Sequence, residues 1–348
     1  MRIMAFGDIH FHHTHRFSTI TSEGFTTREL EHLSCADTLI NLYNEEKIDA
    51  LVCLGDIYGP VGDAISAQTQ KAVLEFFNKF NQLGIKMSCI LGNHDIVQNN
   101  LNIHKLEPIK YMTNIDLIER PKVVINKEYN FIYMPYCIHD EEAIQFLENV
   151  KDKQNSIIFS HLELGGINLG NGLITQKGVP LDLLNEFKMT LQGHYHSGSS
   201  YGHKIQIAGS TQRLSFKDKG ISRNNILIYD TEKDKIERRS FECPDWLTFT
   251  DENIDDILKI DNNNYVKVEL STDILLTDEI KEKISQFKGK DIHIDLTRIS
   301  VNKQISDDTV SNEDNIDIIR KFVNKSDNTE DKKEELIQEG TRLLNKVA

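Results

Sequence analysis

Apolar residues in the first third of the chain come in short runs, each stopped by a polar cluster. Residues 2–6 (Arg-Ile-Met-Ala-Phe), 49–54 (Asp-Ala-Leu-Val-Cys-Leu) and 86–91 (Lys-Met-Ser-Cys-Ile-Leu) are too short for helices and read as buried strands. Between them Leu30, Leu33, Leu39 and Leu42 recur at helical steps within 27–43. Val73, Leu74, Phe76, Phe77 and Phe80 do so within 67–83. Strand, helix, strand, helix, strand predicts an α/β layer with covered faces. Further strands are predicted at 123–125, 131–134, 156–160, 189–191, 205–208 and 225–229. After Pro244-Asp245-Trp246 the composition shifts to Asp, Asn, Lys, Ile and Glu. There 265–270, 278–287 and 292–296 read as strand, helix and strand. Two helices follow at 312–323 and 329–347, joined by the polar link 324–328. No internal repeat is present.

Composition narrows the class. The 348 residues, 39% hydrophobic and 27% charged, suit about two globular domains, or one with an appendage. No apolar run reaches transmembrane length, and Gly7-Asp8 interrupts the N-terminal run before a signal peptide could form; a cytoplasmic protein is expected. Cys35, Cys53, Cys89, Cys137 and Cys243 show no C-x-x-C spacing, which favours free thiols over a disulfide framework or a thiolate zinc site. A net charge of -14 argues against charge-driven coating of nucleic acid. It leaves room for a nuclease whose metal ions supply local positive charge.

The chemistry sits at strand ends, where side chains of an α/β sheet converge. Five clusters follow predicted strands: Gly7-Asp8-Ile9-His10, Gly55-Asp56-Ile57, Gly92-Asn93-His94-Asp95, Ser160-His161 and Gly193-His194-Tyr195-His196. The preceding glycines permit a sharp turn. Carboxylates, an amide and imidazoles without thiolate form a mixed N/O set suited to divalent manganese, iron or zinc; magnesium accepts several imidazoles poorly. A carboxylate can bridge two such ions at the spacing used by two-metal phosphoryl enzymes. His12, His13 and His15 extend the first cluster and read as a polar loop. Arg16, Lys204, Arg213, Lys217, Lys219 and Arg223 are candidates for lining a DNA path.

The ordered set D-x-H, G-D, G-N-H-D, H, G-H-x-H over residues 1–210 resembles the calcineurin-like metallophosphoesterase superfamily. The resemblance implies an α/β fold: a four-layer β-sandwich flanked by helices over 1–245, with a small α/β DNA-capping domain over 246–303 and a helical tail over 304–348. It implies that Asp8, His10, Asp56 and His196 hold one metal ion and Asp56, Asn93, His161 and His194 the second, with Asp56 as the bridge. His94 is then the histidine facing the scissile phosphate, and Asp95 the residue that orients it.

No Asp-Arg pair follows Gly55-Asp56, unlike protein Ser/Thr phosphatases. Instead Ala208-Gly209-Ser210-Thr211-Gln212-Arg213-Leu214-Ser215-Phe216 is similar to a segment of SbcD-like double-strand-break repair nuclease subunits and their phage recombination counterparts. Gly59 stands where archaeal and eukaryotic members of that lineage carry a histidine. The expectation is therefore a manganese-dependent DNA exo/endonuclease that hydrolyses phosphodiester bonds in end processing, recombination and repair, in a bacterium or a phage-infected cell. DNA, an SbcC-like ABC-type ATPase with a coiled coil docked by the tail, and a second copy of the chain are the expected partners. Two alternatives stand beside it: a phosphomonoesterase or cyclic-nucleotide phosphodiesterase on the same metal core, and a non-catalytic scaffold binding DNA ends.

Overall fold

Alternate side chains of β1 (Arg2–Phe6) feed two different cores, Met4 and Phe6 on one face and Ile3 and Ala5 on the other. β2 (Ala50–Cys53) and β3 (Met87–Ile90) behave alike, with Cys53 and Cys89 on the first side and Val52 and Ile90 on the second. Both faces are covered, which is why the sequence shows unbroken apolar runs here. The structure, a computed structural model, describes residues 1–13, 18–59, 65–98, 100–168, 174–216, 225–250, 253–260, 264–271, 282, 284–287, 291–297, 332–334 and 336–338.

β1, β2 and β3 pair in parallel, and Ile115–Ile118 extends them. Ile226–Asp230 and Lys235–Arg239 add antiparallel strands beyond β1 to complete a six-stranded sheet. A second six-stranded sheet contains Ser199–Tyr201, Ile205–Ile207, Met189–Gln192, Ser156–Ser160, Asn130–Met134 and Lys122–Ile125 in spatial order. It is parallel through the middle and antiparallel at both edges.

Ile3, Val52, Leu54, Phe131, Phe159 and Leu191 fill the space between the sheets. α1 (Thr27–Glu45) and α2 (Ala67–Gln82) cover the outer face of the first sheet through Leu33, Leu39, Val73, Phe76 and Phe80. α3 (Asp140–Glu148) and the short helix Leu181–Asn185 cover the second through Ala143, Leu147 and Leu184 against Ile132, Ile158 and Ile207. The layers therefore run helix, sheet, sheet, helix, the expected sandwich.

A smaller parallel sheet follows, made of Trp246–Thr250, Tyr265–Ser271 and Asp291–Thr297. Phe249, Ile257, Val266, Val268 and Phe287 form its core. Trp246–Thr250 was not expected from the sequence. Of the helix expected at 278–287, residues 282 and 284–286 are helical and 278–281 and 283 lie outside the described residues. Trp246 stacks on Tyr265 with ring centroids 4.6 Å apart, and the Arg28 guanidinium of α1 lies 5.1 Å from the Trp246 ring. The Tyr265 hydroxyl donates to Glu31 Oε1 at 2.7 Å, so α1 is the element on which this sheet rests.

The chain divides into two compact units, Met1–Thr297 and Arg298–Ala348. In the second, residues 332–334 and 336–338 are helical; the helix expected at 312–323 and the rest of 329–347 lie outside the described residues. Among the described residues no helix is long and apolar enough to cross a membrane.

Candidate metal centre

All five polar clusters emerge from the carboxyl ends of parallel strands, three from the first sheet and two from the second. The backbone stitches them together. Asp8 N donates to Gly55 O at 2.9 Å, His10 N to Asp56 O at 3.1 Å and Phe11 N to Ile57 O at 2.7 Å, continuing the β1–β2 ladder past the last regular residue. Gly193 N donates to Ser160 O at 2.9 Å, and Tyr136 N reaches across to Leu91 O at 2.9 Å, tying the second sheet to the first.

The side chains named from the sequence converge there. Asp8, His10 and His196 place ligand atoms within 4.8 Å of one another, and Asp56, His161 and His194 do the same. Asp56 lies between the sets, its Oδ2 3.7 Å from His10 Nε2 and 3.3 Å from His161 Nε2. Asn93 Oδ1 is 3.1 Å from His161 Nε2 and 3.0 Å from His194 Nδ1. His161 Nδ1 lies 2.6 Å from the Leu54 carbonyl, which can only accept. Nδ1 therefore carries a proton and Nε2 is the nitrogen turned to the cluster, as carbonyl partners orient metal-binding histidines. His94 also belongs to a grouping, with His10 and Asp56.

The sequence reading expects the glycines to absorb the sharp turns. Gly55 does so (φ 90°), but Gly7, Gly92 and Gly193 do not; Asp8 (φ 52°), His10 (φ 58°), Asp56 (φ 51°) and His194 (φ 71°) are themselves left-handed. A non-glycine residue held there costs about 1 kcal/mol or more. Four such residues at one place is the pattern of strain concentrated at a functional site. Gly92 serves a different need, since a Cβ there would lie 2.1 Å from Asp56 Oδ1. Only a bare backbone lets that carboxylate take its place.

The protein alone does not balance this cluster. Burial pushes the Asp8 carboxyl up to about 8, although His161 opposes the rise, and lowers His10 and His194 to about 3. Burial also works against the charge on Asp56, yet the facing His161 imidazole holds that carboxyl well below its usual range. Asp8 Oδ1 and His10 Nε2 are buried with no hydrogen-bond partner. Buried polar atoms are normally satisfied, and orphans that converge with imidazoles and carboxylates are what a divalent cation completes. The donor set thus fits a pair of transition-type ions.

One expectation is corrected. Asp95 does not hold the His94 ring: its carboxylate accepts backbone N–H from Ile57 at 2.9 Å, Tyr58 at 3.1 Å and Gly92 at 2.9 Å. It fastens the β2 and β3 loops to each other. The partner of the ring is the Gly59 carbonyl, 2.6 Å from His94 Nδ1, which leaves Nε2 as the nitrogen able to exchange a proton. A Cβ at Gly59 would come within 2.9 Å of the His10 carbonyl, so this backbone passes close behind the first cluster. Sequence reasoning misses the role because a backbone carbonyl has no residue signature. Lys105, also missed, donates from Nζ to the His94 carbonyl at 3.0 Å.

Of the other candidates, His13 Nδ1 sits 3.2 Å from buried Glu29 rather than in the cluster. Arg213 pairs with Asp245 at 3.2 Å, and Lys204 donates to the Asn185 carbonyl at 2.9 Å. His15, Arg16, Lys217, Lys219 and Arg223 lie outside the described residues. A separate grouping of His104, Glu107 and Glu119 is occupied by Lys110, whose Nζ lies 3.0 and 2.9 Å from the two carboxylates, and is an ion-pair network.

Residues 1–198 match the family described as calcineurin-like phosphoesterase. Over 186 residues the chain is 26% identical to exonuclease subunit 1 of enterobacteria phage T4, covering 53% of each chain, so it spans about half the length of that relative. Among solved structures, Yfce, a phosphoesterase from E. coli, superposes with a TM-score of 0.34 at 14% identity, covering 69% of this chain and 99% of the other. The calcineurin-like phosphoesterase YfkN from Bacillus subtilis does so with a TM-score of 0.35 at 11% identity, covering 69% and 88%.

Proposed function

This chain belongs to the calcineurin-like phosphoesterase family, and on that footing we propose that it is the nuclease subunit of a DNA end-processing complex, hydrolysing phosphodiester bonds. The observation that carries the reading is the shared carboxylate Asp56 between two sets of ligand atoms, in a chain similar to a phage exonuclease subunit. Asp8, His10, Asp56 and His196 would hold one ion, and Asp56, Asn93, His161 and His194 the other; the mixed N/O set suits manganese, iron or zinc, and we take manganese as the working ion. Such a pair supplies positive charge against the phosphate oxygens and a water of lowered pKa.

The chain's own residues do the rest. His94, its Nδ1–H held by the Gly59 carbonyl, turns Nε2 outward, and once Nε2 also carries a proton the imidazolium can pass that proton to the departing sugar oxygen and return to the neutral ring. Asp95 locks the Ile57, Tyr58 and Gly92 amides, so the two loops that carry Asp56 and His94 move as one. The phage relative is a subunit by name, which supports a partner protein here too. We assign the region 304–348 to docking on an SbcC-like ATPase, the region 246–303 to capping DNA, a homodimer as the assembly, and the cytoplasm as the site of action.

Turnover of end-labelled linear duplex and of small phosphate mono- and diesters, with manganese or with chelator, tests the proposal. Manganese-dependent cleavage of the duplex is the expected result. Rapid monoester hydrolysis with the duplex left intact would replace the nuclease reading by that of a small-molecule phosphoesterase.

A further inference from the structure

Beside the metal-ligand candidates lies a cleft of about 530 Å³ whose lining includes Tyr136, Ile138, Asp140, Ile144, Glu163 and Lys177. Its volume falls in the range of clefts that take small ligands. Its position is fixed by the same strand ends that build the site. Tyr136 follows the strand Asn130–Met134 and is held by its N–H to Leu91 O, directly before Gly92-Asn93. Glu163 follows His161 by two residues, and Val179 N donates to its carbonyl at 2.8 Å, which brings the segment carrying Lys177 alongside it at the cleft. The Tyr136 phenol is raised by burial and by the nearby charges of Glu163, Asp140 and Asp56, so the ring stands within electrostatic reach of both cleft and cluster.

We propose that this cleft is a subsite for the nucleobase next to the scissile phosphate, with the half-buried Tyr136 ring as its stacking platform. The inference rests on the nuclease reading above and adds to it where the substrate strand runs. The chemistry of the walls favours a base over a phosphate. Asp140 and Glu163 repel an anion but accept N–H from the amino edge of a base, while Ile138 and Ile144 offer apolar surface to its faces. Lys177 at the rim is placed to meet the backbone of the same strand. Stacking on an aromatic ring tolerates any base, as an end-processing enzyme requires.

The test is a kinetic comparison of two oligonucleotides in manganese, identical except that one carries an abasic residue beside the cut; it is run with wild type, Tyr136→Ala and Tyr136→Phe. The wild type should cleave the intact strand with about tenfold higher kcat/KM, the size expected of one stacking contact. Tyr136→Ala should lose that preference while cleaving the abasic strand as wild type does, and Tyr136→Phe should keep the preference. Persistence of the preference in Tyr136→Ala, or an equal loss on both strands, overturns the subsite. A wild type that cuts neither strand but hydrolyses a small diester sinks the nuclease reading itself, and the subsite with it.

Discussion

At the scale of single residues, the site works through backbone as much as side chains. Asp8, His10, Asp56, His161, His194 and His196 could be named from the sequence because polar clusters stopping apolar runs are visible in the pattern. The Gly59 and Leu54 carbonyls could not, and Asp95 was misassigned because its neighbour in sequence, His94, is not its partner in space. Two expectations follow. His94→Gln should keep its manganese, measured by elemental analysis, and lose about a hundredfold or more of its diester turnover, the usual worth of a positioned general acid. Unchanged turnover would remove His94 from the chemistry. Gly92→Ala forces a methyl against Asp56 Oδ1, so it should weaken metal binding and cost about 1–3 kcal/mol of stability in urea titration.

At the scale of elements, hydrophobic period located β1, β2, β3, α1 and α2 to within a few residues because each is long or fully buried. It missed Lys235–Arg239, an edge strand of sequence Lys-Ile-Glu-Arg-Arg whose half-exposed charges hide its pairing, and the two-residue strand Ile96–Val97, too short to show a period. The capping box Thr26–Glu29 opens α1, yet its buried glutamate also accepts from the Thr69 hydroxyl at 2.9 Å, joining α1 to α2. In the same part of the helix, Arg28 Nη1 donates to Glu31 Oε2 at 2.6 Å beneath Trp246 and Tyr265. Arg28→Ala strips a partner from a buried ion pair and should destabilise the protein by about 3 kcal/mol. Chemical denaturation monitored by the fluorescence of Trp246, the sole tryptophan, would report it. A midpoint equal to wild type would show that α1 and the small sheet are not coupled through this contact.

At the scale of the whole molecule, the sandwich is an assembly of strand ends around a buried cluster that carries unsatisfied atoms and strained backbone. Folding such a cluster is unfavourable by itself, and on the proposed function cation binding to the folded state would offset it. Manganese at a hundred times its dissociation constant should therefore stabilise the protein by about 2.7 kcal/mol per site, seen as a rise in melting temperature that chelator reverses. The strands announce themselves in the pattern, but their division into two facing sheets was implied only by the family resemblance, because a strand's period does not name its neighbour; in the region 304–348 the sequence offers only helical spacing, which says nothing of what it packs on. The central claim is that two cations share Asp56 and that DNA is cut there. The most direct measurement is bound manganese per chain, taken on the same samples as cleavage of end-labelled duplex, for wild type and Asp56→Asn. Two ions and cleavage are expected in the wild type, and loss of both together in the variant. Undiminished cleavage by Asp56→Asn, or two ions in a wild type that leaves duplex uncut, would contradict that claim.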